Sequence, residues 1–595
     1  MKMVKSLVLG SAAGLLAMSA GAQAADLPVK AKAVEYVRIC SLYGAGFFYI
    51  PGTDTCIKIG GYLRADLNIH GGNSNGPFWS GDPGFQDRYA NQYNDYARMA
   101  LTIDTRTQTE YGVVRTFGQG DFTFATEGAG NSTNVQSSLA AGNIEGLGFN
   151  NQVGGGYTVV EFLFIQFAGF TFGKSASAFN TPWHGFPGNN TAFLVGGYDT
   201  VTGINNIQYT AQFGNGFSAT IGIDDSSASQ YNRTQIFNAT LQPPIGQTTI
   251  NNAATIFAPS TSTQGTCNLG LYGGASSYCS VMGTAYGGTY APDIVGNIKV
   301  DQAWGMFQLS GALHDNYPGY WNTANTMNAS TFIGGVNQTG TMFLGHPDSK
   351  WGGAVSAALQ VKNLPTGAGD DIKIEGTWSE GASKYVLGTA SALGSSFYIA
   401  GSCGSCTPVN GSPIGGKVAI GAITDAVYGG FGTPLQSGLQ LTQGWGFRGA
   451  FNHNWDPYWS TSLFGGIASL RYNDTAKALW CAAYSETTPF GAPINGTGLG
   501  TAISGTPVTG GHLGVGPGYH CDPGFTVSEI GLITRWTPVK NLTFSGEVLY
   551  AFLKTNMAGS VQGTFTSSIP LLGAATYQYG NMGTASLNLR VQRNF

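Results

Sequence analysis

Residues 56–69 read CIKIGGYLRADLNI, and nearly every second side chain is apolar. Ile57, Ile59, Leu63, Ala65, Leu67 and Ile69 alternate with Lys58, Tyr62, Arg64, Asp66 and Asn68. A period of two puts successive residues on opposite faces of a β-strand, so this segment offers one face to an apolar medium and the other to water. The alternation returns along the chain, for example in Ala97, Met99, Leu101 and Ile103 against Arg98, Thr102 and Asp104. It persists to the final residues, SLNLRVQRNF, where Leu587, Leu589, Val591 and Phe595 share a face and only Arg593 interrupts it. Free ends ordinarily fray; this one is patterned as a strand.

The apolar medium is identified by what surrounds the strands. Residues 1–25 carry lysines at 2 and 5, an apolar stretch from Leu7 to Met18 and small residues at Ala22, Ala24 and Ala25, the pattern of a secretory signal cleaved near Ala24 or Ala25. Charged residues make up only 10% of the chain, against about 25% in soluble proteins. Glycine (91 residues) and aromatics (12%) suit strands and turns better than helices. Past the signal no apolar run approaches the roughly 18 residues of a membrane-spanning helix. An exported, charge-poor, strand-rich chain without such a helix can still span a bilayer as a closed barrel, in which every backbone group is paired. With 27 basic and 31 acidic residues, nothing points to a nucleic-acid partner.

Connections separate this reading from a soluble sandwich, which also alternates. Short turns at 214–216, 302–305, 453–458 and 537–541 alternate with long Gly-, Ser-, Thr- and Asn-rich stretches such as 225–292, 379–444 and 473–525. Short turns at one end and long loops at the other are the layout of an outer-membrane barrel. Sixteen segments qualify as strands, from 56–69 to 584–595, among them 96–106, 111–119 and 158–167; residues 158–174 are apolar on both faces. The expected fold is therefore all-β: a transmembrane antiparallel β-barrel of about 16 strands, with short periplasmic turns and long external loops. Sixteen strands leave an aqueous channel, where eight leave a filled interior. The expected division is a signal peptide over 1–25, a short periplasmic segment over 26–55 and the barrel over 56–595.

The segments AADLPVKAKAVEYVRICSLYGAGFFYIPGTDTCIKIGGYLRADL, FIQFAGFTFGK and WTPVKNL, with terminal Phe595, closely resemble the porins of alphaproteobacteria, including rhizobia and Brucella. The resemblance follows the strand framework and is poor in the long loops. It implies a trimeric barrel of the outer membrane through which small hydrophilic solutes diffuse passively, and a closing strand ending in Phe595 that the assembly machinery reads. It also implies a loop folded into the lumen, here 175–204, where His184 and the loop's single carboxylate, Asp199, would face the opposite wall.

On the inward face Lys58, Arg64, Arg98, Arg106 and Arg115 come from three consecutive strands and would line one wall, with Asp66 and Asp104 among them. That pattern fits either a solvated polar lumen or a field with a positive balance opposite Asp199. The eight cysteines, Cys40, Cys56, Cys267, Cys279, Cys403, Cys406, Cys481 and Cys521, suggest disulfides in an exported chain. Paired as neighbours they would staple loops locally, and CGSC at 403–406 reads as a loop clasp, lacking the context of a redox or metal motif. Histidines 70, 184, 314, 346, 453, 512 and 520 are scattered, match no zinc spacing and read as solvated residues of loops and strand ends. No cofactor or metal is implied. Besides a general diffusion channel, the long loops leave open a solute-selective channel with an external vestibule. An outer-membrane hydrolase lacks a Ser and His pairing, and a secreted adhesin would leave Phe595 and the alternating loop lengths unexplained.

Overall fold

The computed structural model describes residues 38–72, 75–77, 93–125, 157–198, 202–227, 233–239, 285–321, 345–389, 396–400, 414–429, 435–484, 518–565 and 572–595, with the short pieces 332–333, 336–337 and 514–515. Sixteen antiparallel strands form a closed ring: β1 (Thr55–Ile69), β2 (Tyr93–Thr109), β3 (Gly112–Ala125), β4 (Tyr157–Phe167), β5 (Phe170–Ser175), β6 (Ile204–Gly214), β7 (Phe217–Asp224), β8 (Asp293–Gln302), β9 (Gly305–Asn316), β10 (Lys350–Lys362), β11 (Asp371–Glu380), β12 (Gln443–Asn454), β13 (Trp459–Arg471), β14 (Phe525–Val539), β15 (Leu542–Thr555) and β16 (Met582–Asn594). Each pairs with its neighbours in sequence, and β16 closes on β1 from Tyr62 opposite Asn594 to Ile69 opposite Leu587. Phe595 completes the seam through mutual backbone hydrogen bonds with Gly61. Below that point β1 outruns β16, and the short strand Phe48–Tyr49 pairs with the uncovered edge at Cys56 and Ile57. This shortens the uncovered edge, which in lipid would cost several kcal/mol per orphaned backbone group.

The apolar parity of each strand faces outward. Ile59, Leu63, Leu163, Ile221, Ile298, Val355, Ile530 and Val548 are all at least half exposed, as lipid-facing side chains must be. Aromatic residues ring both ends of this band: Phe213, Trp304, Trp459 and Trp536 near the short turns, Tyr93, Trp351, Trp378 and Trp445 near the long loops. From Trp351 to Val361 along β10, about ten residues at ~3.3 Å each and a tilt of ~40° give a height of ~25 Å, the thickness of an outer-membrane apolar band.

Strand β3 runs six residues past its expected end, and β4 contains a bulge. Gln119 pairs with Phe162 and Gly120 with Val160, leaving Glu161 as an extra residue. The parity of β4 therefore changes midway: Val160 faces outward before the bulge, Leu163 and Ile165 after it, and Glu161 is buried inside. The shift in parity is one reason 158–174 reads as apolar on both faces; the other is that Phe162 and Phe164 face inward.

The long connections build structure of their own. Ile414–Ala422 pairs with Ser396–Ala400 and with Leu572–Tyr579, while Ala426–Gly429 lies between Ser437–Leu441 and Ile236–Asn238. Helix α1 (Asp474–Tyr484) buries Ala476, Leu479 and Trp480 among Val418, Ile420 and Met557. A second cluster joins Phe397, Ile399 and Ile423 to Leu470, Val527 and Leu553 from β13–β15. The loops thus fold into a cap whose underside enters the barrel mouth. Disulfides Cys40–Cys56 and Cys481–Cys521 brace the turn end and this cap; Cys267, Cys279, Cys403 and Cys406 lie outside the described residues, as does the segment 1–37.

Candidate functional site

Strand register brings the basic residues of β1–β3 onto one inner wall in two storeys. Arg64 and Arg98 are cross-strand partners, as are Arg106 and Arg115, and Lys58 faces Asp104. None of the four arginines stands alone. Arg98 donates to Asp121 at 2.7 Å and to Glu161 at 3.0 Å. Arg106 and Arg115 share Asp104, each with an Nη2 at 3.0 Å. Arg64 lies 3.5 Å from Asp66, which also accepts from Arg590 of the closing strand at 2.5 Å. Aromatic rings interleave: Tyr96 lies under the guanidinium groups of both Arg64 and Arg98, each 5.2 Å from its centroid.

Six cations on this wall (Lys58, Arg64, Arg98, Arg106, Arg115, Arg590) meet four carboxylates (Asp66, Asp104, Asp121, Glu161), all within the wall itself. Asp121 lay beyond the expected end of β3, and Glu161 needed the bulge. Asp199 lies outside the described residues.

The opposite wall holds the segment 176–198. Its backbone is gripped by charged side chains of β11–β15. Glu547 accepts the amides of Asn190 and Thr191, Glu529 accepts Val195 at 2.9 Å, and Arg535 donates to the Gly188 carbonyl at 2.6 Å. Arg448, fully buried, donates to Glu375 at 2.7 Å and to the carbonyls of Tyr198 at 2.9 Å and Leu194 at 3.4 Å. Farther back, Gln308 and Asn297 donate to the carbonyls of Asn180 and Ala178. Inward glycines make room: a Cβ on Gly446 would meet the Gly196 Cα at 2.7 Å, and one on Gly466 would strike the Val195 carbonyl. Gly196 itself has φ +106°, a region glycine adopts readily. Glu547 shares the polar parity of its strand with Ser545, but that it accepts backbone amides of a loop more than three hundred residues away has no local signal.

His184 is exposed on this segment, its amide donating to the Thr181 carbonyl. Enclosure inside the ring and the charge of Lys299 push its imidazole below the ordinary value. Two other histidines depart from the solvated reading. His314 is buried between Asp293 at 2.7 Å and the Tyr286 hydroxyl at 2.8 Å, and His453 pairs with Asp370 at 2.6 Å. Both satisfy buried carboxylates where a loop or turn meets the barrel.

The sequence profile described as Porin subfamily matches residues 26–569. Porin Omp2b of Brucella suis biovar 1 (strain 1330) is 34% identical over 307 residues, 51% of this chain and 63% of that protein. Porin Omp2b of Brucella canis is 33% identical over the same shares. The match therefore spans less than two thirds of these relatives' length. Among solved structures, the outer membrane channel DcaP of Acinetobacter baumannii covers 92% of this chain and 99% of its own at 10% identity, with a TM-score of 0.46. Since the matched profile takes in fifteen of the sixteen strands together with the gripped inner segment, the chain belongs to the Porin subfamily.

Proposed function

We propose that the protein is a passive diffusion channel for small hydrophilic solutes across the outer membrane, with the passage running between the β1–β4 wall and the segment 176–198. The observation that carries this reading is the grip on that segment: its backbone is bound to the far wall, so the paired charges of β1–β4 face the remaining lumen. Water there lowers the cost of moving a hydrated solute, and fixed charges bias which ions pass. Six cations against four carboxylates make the wall weakly positive. Replacing Arg64, Arg98 and Arg115 with Gln turns the balance to three against four, so reversal potential in a salt gradient across a planar bilayer should shift toward cations. A protein that inserts without conducting, or a triple variant with unchanged reversal potential, would refute this placement.

The same reading makes residues 1–25 an export signal and Phe595 part of the signal for outer-membrane assembly. It makes the working unit a homotrimer. In support of self-association, a hollow of about 730 Å³ lies on the outer surface near the seam, where Ala65 and Ala97 leave space among Phe124, Trp536, Phe544 and Leu589. Chemical cross-linking of the purified barrel tests it, with a trimer band expected and a monomer band alone as the contrary result. The folded cap favours the solute-selective variant of the same function, since solutes must pass its ordered surface before the lumen.

A further inference from the structure

The lumen of an outer-membrane barrel is polar, yet Phe117, Phe162 and Phe164 all face inward on β3 and β4. Their register leaves no choice. Phe117 is the cross-strand partner of inward Asp104 and of Phe164, and Phe162 is the partner of inward Gln119. Phe117 and Phe164 stack at 5.3 Å, Phe162 lies 6.3 Å from Phe117, and all three remain half-buried rather than covered. The next inward position along the row is Gly173, which has no side chain to shield them. Three adjoining, partly uncovered rings on an otherwise polar wall offer an apolar contact surface.

Its surroundings state what would bind. Arg115 sits over both rings, 5.2 Å from the centroid of Phe117 and 5.5 Å from that of Phe164. Arg115 and Arg106 share one carboxylate, Asp104, whose cross-strand neighbour is Lys58. Three cations thus meet one carboxylate beside an apolar surface, and the side chains of Arg106 and Arg115 each keep 29% exposure. From this juxtaposition we infer that the turn-end half of the lumen holds a weak binding site for small organic anions with a flat apolar body, of the aromatic carboxylate class. The ring stacks on the phenylalanines while the carboxylate lies against Arg106 and Arg115, so such solutes are retained relative to equally charged compact ones. A neutral sugar would use the rings but gain nothing from the excess positive charge.

This inference rests on the channel reading, and the experiment separates the two. The full-length protein in a planar bilayer is titrated with benzoate, acetate and glucose while the KCl current is recorded. Benzoate should interrupt the current in a concentration-dependent way; acetate and glucose should not. Loss of the rings in F117S/F164S should raise the half-blocking benzoate concentration about tenfold, the scale of one aromatic stacking contact, whereas F164Y, which keeps the ring, should retain the block. If benzoate and acetate act alike on the unsubstituted protein, if glucose blocks as well as benzoate, or if F117S/F164S blocks normally, the site does not exist. Absence of any conductance would instead overturn the channel reading itself.

Discussion

Arg448→Met removes the cation at the centre of the grip on segment 176–198. The side chain is completely buried, and its loss takes the cation from the Glu375 carboxylate and a donor from the carbonyls of Leu194 and Tyr198. Breaking one partner out of a buried ion pair costs about 3–5 kcal/mol. Most of that cost is relieved if the segment lifts away and lumen water reaches Glu375, so the substitution acts on the local equilibrium between seated and lifted segment. At about 1.4 kcal/mol per decade, the lifted population should rise by a factor of ~10² to 10³·⁵. The remaining anchors, Glu547, Glu529 and Arg535, each hold a charge-assisted hydrogen bond of about 1.5–3 kcal/mol, so the segment should remain mostly seated. The assay is amide hydrogen exchange at Val195 and Gly196, whose N–H groups donate to Glu529 and to the Val386 carbonyl, read beside single-channel noise. Exchange there should accelerate by that factor, with larger current fluctuations. Arg448→Met combined with Glu375→Leu should recover most of the protection, because both partners of the pair are then gone. Unchanged exchange in the single variant, or no recovery in the double, would refute the assignment of Arg448 as the clamp.

Three further outcomes follow from other parts of the barrel. Burial pushes the Asp370 carboxyl up, but hydrogen bonds from the Thr366 hydroxyl, the Asn454 amide and His453 outweigh it and bring the group down to about 2. A depressed carboxyl stabilises the fold above its unfolded value near 3.9 and loses that contribution as pH falls toward 2, so the acid-induced loss of thermal stability between those values should be smaller in Asp370→Asn. Glu161→Gln leaves Asp121 as the one carboxylate on Arg98 and moves the wall balance to six against three; reversal potential should shift toward anions, opposite in sign to the triple arginine variant. Removing Phe595 takes the last backbone pair from the seam at Gly61, and the yield of heat-modifiable barrel in the outer membrane should fall while export continues; normal yield would show that the residue is dispensable for assembly.

The ring was legible because its two faces meet different solvents. A residue such as Leu63 or Ile221 must be apolar and its neighbours need not be, and that contrast is written at every second position. Where the interior stops being water, the code fails. Ala468, Leu470, Val527, Ala551 and Leu553 face inward yet are apolar, because the cap packs on them. In sequence they blur the alternation, and the cap partners, such as Ile414–Ala422 with Leu572–Tyr579, lie more than a hundred residues apart in glycine-rich stretches. The bulge at Glu161 hides for a different reason: one extra residue reverses parity without changing composition. The arginine wall was visible residue by residue, but pairing was not, since parity says which face a carboxylate shares and not which cation it reaches.

A chain with so few charges concentrates their effect. With lipid outside, a barrel strand can place a charged side chain only inward or near its ends, and inward it must be paired or wet. The two solutions divide this lumen. On β11–β15 Arg448, Glu375, Glu529 and Glu547 are buried and spent on holding a loop, so they contribute rigidity and little field to a passing ion. On β1–β4 Arg106 and Arg115 remain partly wet, each held over an aromatic ring or against Asp104, so their charges are both fixed in place and accessible. Some of the loop's side chains share in holding it, Asn190 donating to Ser545 and Asn588 and Thr191 to the Asn75 carbonyl, whereas His184 is exposed on the segment and can vary without unseating it. Permeation properties should accordingly respond to substitutions on β1–β4 and on the loop's side chains, whereas substitutions on β11–β15 should act first on where the loop sits and only through it on what passes.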